Sequence, residues 1–150
     1  DFGESVKTIA TFGLYVPRWA FIDYPMQQLP AVGRFEGDRF NPPAWVPHYP
    51  NPAFENARPD DTFWAARRIM AFSDEAIRTV VEAGRYTDPR AVDYLTQVLI
   101  KRRDKIGRAW LTDVNPLVDF ALDSSGTLRF ANAAVVAGVA DAPRLLRLSS

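Results

Sequence analysis

Apolar positions recur with a helical period in three successive stretches of the chain. Phe63, Ala66 and Met70 stand three and four apart, Ile77, Val80 and Val81 follow, and Val92, Leu95, Leu99, Ile106 and Trp110 fall at offsets of 3, 4, 7 and 4. Such spacing lines one face of an α-helix. The flanking residues predict where each helix starts and stops. Asp60 or Asp61 can cap a helix over about 60–72. Ser73 is a second N-cap candidate, with Asp74 and Glu75 in the first turn where acids suit the helix dipole, and Gly84 is the natural stop, giving 73–84. Asp88 before Pro89 opens a third helix over 88–112, because proline at the first helical position gives up only a donor that has no partner there.

On the N-terminal side the period disappears. Nine of the twelve prolines lie between Pro17 and Pro59, and thirteen of the nineteen aromatic residues lie at or before Trp64. Proline fixes φ, removes a donor and pushes its predecessor to extended geometry. The run from Phe40 to Pro52 is therefore expected to be neither helix nor central strand but an extended, polyproline-like arm. Thr8 to Tyr15 suggests a short strand with Gly13 as its weak point, Arg18 to Tyr24 is an ambiguous aromatic segment, and Gly33 and Gly37 around Arg34-Phe35-Glu36 suggest a turn. After the helices, Val118–Leu122, the turn Asp123-Ser124-Ser125-Gly126 and Thr127–Phe130 read as a β-hairpin, and Asn132–Val139 as a short helix. The predicted fold class is α+β, mainly α. It has an arm over 1–59 with one or two short strands, a three-helix core over 60–112, and a hairpin and short helix over 113–150.

Composition narrows the chemistry. Eighteen basic residues balance eighteen acidic ones over 150 residues, which argues against a generally basic nucleic-acid binder. With no cysteine and the single histidine His48, disulfides, cysteine zinc sites, iron–sulfur clusters and multi-histidine metal centres cannot be built from this chain. The longest apolar or glycine run, Ala133 to Ala140, is far shorter than the roughly 20 residues of a membrane span. No cofactor is expected.

Two groups of residues are candidates for contact. The arm's aromatics Trp19, Tyr24, Phe40, Trp45, Tyr49 and Phe54 need a surface to cover them, either the chain's own helices or a partner. Lys101, Arg102, Arg103, Lys105 and Arg108 place five positive charges within eight residues of the third helix. Most of them are expected to face away from its buried stripe, as a solvated face or as a contact for anionic lipid headgroups or an acidic partner. Glu36 with Asp38, and Asp60 with Asp61, are possible carboxylate pairs, the second better explained as helix capping, and His48 has no nucleophile elbow to serve.

Phe54-Glu55-Asn56, the run from Thr62 to Arg78, Gly84-Arg85-Tyr86-Thr87-Asp88-Pro89, and Leu99 to Arg108 on to Val114-Asn115-Pro116 together resemble a segment of large, uncharacterised exported bacterial proteins. The resemblance covers roughly residues 1–120 and implies export to the periplasm or cell envelope and a chain that is a fragment or processed product. Asp1-Phe2-Gly3 resembles the metal-binding tripeptide of protein kinases, in which the aspartate holds magnesium. The leading expectation is a non-catalytic interaction module, an accessory subunit binding a larger protein or membrane-protein assembly at its aqueous face. The alternative is the C-terminal part of a kinase-like phosphotransferase with Asp1 as magnesium ligand.

Overall fold

The structure, a computed structural model, describes residue 10 and residues 29–142. It is mainly α-helical with one antiparallel hairpin near the C-terminus. A 3₁₀ turn over Pro42–Ala44 is followed by α1 (Pro52–Glu55), α2 (Pro59–Met70), α3 (Asp74–Glu82), α4 (Pro89–Trp110), β1 (Leu117–Leu122), β2 (Leu128–Asn132) and α5 (Ala133–Val136). The three expected helices and the hairpin are all present. Asp1, Trp19 and Tyr24 lie outside the described residues. Of the expected strand Thr8–Tyr15 only Ala10 is described, and it is helical.

Local chemistry accounts for the helix ends. Ser73 Oγ accepts the Ala76 N–H at 3.1 Å, and the Asp88 carboxylate accepts the Arg90 N–H at 2.9 Å, as N-caps do. Helix α2 starts one residue earlier than expected, with Pro59 in its first turn. Asp61 therefore sits at the third helical position, where its carboxylate reaches back to the Arg58 N–H at 3.0 Å. Pro52 likewise opens α1 behind the Asn51 cap, so the arm is interrupted by a helical turn where continuous extension was expected. Gly84 does not supply the left-handed residue that ends α3; Arg85 does, at φ +52°. A Cβ on Gly84 would lie 2.8 Å from the Tyr86 ring, so glycine is needed there for room. Asn132 caps α5 as expected, but that helix stops at Val136 because Gly138 turns the chain at φ +68°.

Small side chains carry the packing. Ala66 and Ala91 are fully buried, and Leu111 and Ala134 are 1% exposed. Ala66, Leu111 and Ala134 form one cluster, with Phe63, Met70, Ile106 and Trp110 against it. Helices α2 and α4 meet where Gly107 faces Met70; an added Cβ would sit 2.5 Å from the sulfur. The expected stripe of α4 is thus only half-buried, since alanine and glycine let the backbones approach and leave the larger side chains at the margins. Val80, expected in the buried stripe of α3, is 63% exposed, whereas Ile77 and Val81 are buried.

The hairpin register pairs Leu117 with Asn132, Val118 with Ala131, Ala121 with Arg129 and Leu122 with Leu128, with a bulge in β1 between Val118 and Ala121. Asp119 in that bulge has φ +56° and pairs with Arg67 of α2 at 3.3 Å. At the turn the Asp123 carboxylate accepts the Ser125 and Thr127 N–H groups, and Gly126 takes φ +83°.

Leu111 joins the helical body to α5, so Leu111→Ala is expected to lower stability by about 2–5 kcal/mol in urea unfolding. Thr96 is 5% exposed and its hydroxyl has no partner among the described residues. Thr96→Val removes that orphan and is expected to leave stability unchanged or raise it by up to about 1 kcal/mol in the same experiment.

Candidate functional site

The basic residues of α4 hold the arm. Along one face of the helix, the Tyr94 hydroxyl donates to the Phe35 carbonyl at 3.0 Å. Arg102 Nε donates to the Glu36 carbonyl at 2.7 Å, and Lys105 Nζ to the carbonyls of Asp38 at 2.6 Å and Phe40 at 3.0 Å. Lys101 Nζ meets the Asp38 carboxylate at 2.6 Å. The Arg102 guanidinium lies 4.0 Å from the Phe35 ring centre and 4.7 Å from that of Phe40, a cation–π arrangement. Gly37 is buried against the helix, where a Cβ would come within 3.2 Å of the Lys101 stem. Four of α4's polar side chains thus satisfy a loop that belongs to no strand among the described residues.

The expected solvated face is therefore corrected. The Arg103 side chain is only 12% exposed, paired with Asp74 at 2.7 Å and Asp104 at 2.8 Å and donating to the Phe72 carbonyl. It ties α3 to α4. Arg108 is exposed and makes no ion pair among the described residues. The carboxylate pairs are also structural. Glu36 accepts the Arg39 N–H at 2.8 Å, Asp38 belongs to Lys101, and Asp60 pairs with Arg58 at 3.2 Å.

The arm's other end is fixed by α2; between the two anchors its 3₁₀ turn still packs on α4, and the stretch beyond Pro47 faces solvent. Every residue from 48 to 61 is exposed. Under it lies an apolar groove of about 990 Å³, walled by Phe40, Trp45 and Phe54 from the arm and by Ile69, Ile106 and Trp110 from α2 and α4. Trp45 (49% exposed) and Phe54 (57%) meet edge to face at 5.4 Å between ring centres. Tyr49 is 78% exposed and stacks edge-on with His48. Of the six aromatics singled out in the sequence, the structure brings Phe40, Trp45 and Phe54 together around the groove, and leaves Tyr49 on the outer side of the arm. Sequence reasoning missed Tyr94. Its place seven and eight residues before Lys101 and Arg102 puts it on their face of the helix, but the main-chain carbonyl it serves leaves no trace in the sequence.

Among the described residues, no three of His, Cys, Asp and Glu converge as metal ligands would, and no helix is long and apolar enough to cross a membrane. No protein-family model, curated protein or solved structure matches the chain. The groove and its clamp are thus read from their own geometry.

The clamp has a pH signature. The hydrogen bond and charge of Lys101 hold the Asp38 carboxyl below its ordinary 3.8, and Asp38 holds Lys101 above its ordinary 10.5. The Asp38 contribution is complete above 3.8 and disappears as pH falls through the depressed value; the Lys101 contribution is complete below 10.5 and disappears as pH rises through the elevated one. Tyr94, raised by burial and then by Glu36 and Asp38, stays protonated as a donor. Protection of the 36–40 amides, taken against their intrinsic exchange rate at each pH, is expected to be greatest between those limits and to fall on acidification through the depressed Asp38 value. In Asp38→Asn the acid response shrinks, while Arg102→Ala speeds exchange of the whole loop at neutral pH. Unchanged exchange in Arg102→Ala would show that the loop is held by something else.

Proposed function

We propose that this chain is a non-catalytic interaction module, an accessory subunit or processed piece of a larger exported assembly, and that the arm–groove face is where it meets a protein partner. The observation that carries the reading is the position of Trp45, Phe54, Phe72 and Val80, each about half exposed or more on the lining of one apolar groove. Aromatic side chains at the centre of a concave apolar patch are the usual source of interface energy. Prolines 42, 43, 47, 50 and 52 stiffen the arm, so it is held open over the groove rather than collapsing into it. They also deny it a continuous row of donors, so recognition here would work by side-chain packing and not by strand addition. Location in the periplasm or envelope, and subunits of a membrane complex as the partner, come from the resemblance to large exported bacterial proteins.

The test is gentle purification from the native source, comparing the natural chain with Trp45→Ser/Phe54→Ser. The natural chain is expected to co-purify in fixed stoichiometry with larger subunits, and the double variant to lose them while keeping its helical circular dichroism. Isolation of the natural chain alone, or equal retention by the variant, would contradict the assignment.

A further inference from the structure

The hairpin carries a second apolar surface, on a different part of the molecule from the groove. Phe120, Leu122, Leu128 and Phe130 are 60%, 70%, 55% and 52% exposed, and the rings of Phe120 and Phe130 are 5.8 Å apart. A two-stranded hairpin is marginal in water without a further strand or a helix across it. Its two outer edges are not alike. The edge of β1 is broken by the bulge and by Asp119 at φ +56°, features that prevent continuous pairing.

Among the described residues, the edge of β2 has no such protection. The Asp123 N–H donates to the Thr127 carbonyl at 3.1 Å, and the Ala133 N–H donates to the Pro116 carbonyl at 2.8 Å. Residues 127 and 133 therefore turn their main-chain groups toward β1, and by the alternation of a strand so do Arg129 and Ala131. The N–H and C=O groups of Leu128 and Phe130, and the N–H of Asn132, then point the other way, to an edge with no proline, bulge, lysine or acid between 128 and 132, while the Asn132 carbonyl serves α5.

We propose that this edge pairs with the same edge of a second copy of this chain, antiparallel about Phe130, to make a four-stranded sheet. The strand β2 fits its own edge. The outward-facing residues 128, 130 and 132 are symmetric about Phe130, so each would meet an outward-facing residue of the copy. Phe130 lies opposite Phe130, a favourable aromatic cross-strand pair, and Arg129 lies opposite Ala131, so no like charges face each other. Leu128 lies opposite Asn132. This pairing is independent of the partner assigned to the groove, and either can fail without the other.

Sedimentation and amide exchange of the 150-residue chain test it. Dimers are expected, with protection of the Leu128 and Phe130 amides rising about tenfold as concentration rises about a hundredfold, while Arg129 and Ala131 stay protected throughout. Phe130→Pro removes an outward N–H and spares the β1–β2 ladder, so it is expected to be monomeric, whereas Phe130→Ala keeps a weaker dimer. A monomer at every concentration would overturn the proposal. So would equal loss of the dimer in both variants, which would assign association to the aromatic face and not to the strand edge.

Discussion

The arrangement depends on main-chain carbonyls. A loop that joins no ladder among the described residues still has carbonyl oxygens that must find partners when it lies against a helix. Helix α4 supplies them from Tyr94, Arg102 and Lys105, with Lys101 on the Asp38 side chain. Charged donors make stronger hydrogen bonds than neutral ones, and two of these reach carbonyls through long side chains whose stems also cover apolar surface. Gly37 lets the chain lie directly on the helix. Where the clamp ends, at Phe40, the prolines take over: the turn Pro42–Ala44 still touches α4, and beyond Pro47 the arm turns out to solvent.

The distribution of apolar surface follows from this. Among the described residues, the side chains that are wholly buried are mostly alanines, with Leu111 as the one large member. Close approach of α2 and α4 through Ala66 and Gly107 yields a small, dense core, and the larger side chains are left around its margin. Large aromatics therefore line the groove and the hairpin face. Exposed apolar residues are ordinary when scattered; gathered into one groove and one sheet face, they mark surfaces available for contact.

The helices were legible in the sequence because their signals are local. Ser73, Asp88 and Asn132 act through bonds two or three residues away, and the 3.6-residue period of the apolar positions fixed which segments coil. What the pattern could not give was the partner of each face. Arg102 and Lys105 look solvated on a helical wheel because the acceptors that draw them in are backbone atoms some 65 residues earlier. Val80 has the spacing of a core residue, yet tertiary packing used only Ile77 and Val81. The groove's aromatics were found by residue type alone. Their convergence on one cavity came from the two anchors of the arm, which no local rule encodes.

The central claim is that the arm is held on α4 of its own chain, and zero-length carbodiimide cross-linking reads it most directly. Lys101 Nζ and the Asp38 carboxylate are 2.6 Å apart, close enough to be joined as an amide without a spacer. Mass spectrometry on an equal mixture of unlabelled and ¹⁵N-labelled chains is expected to show the Lys101–Asp38 cross-link with both ends from one isotope. No cross-link, or one that joins the two isotopes, would contradict the account and place the arm elsewhere or on another copy.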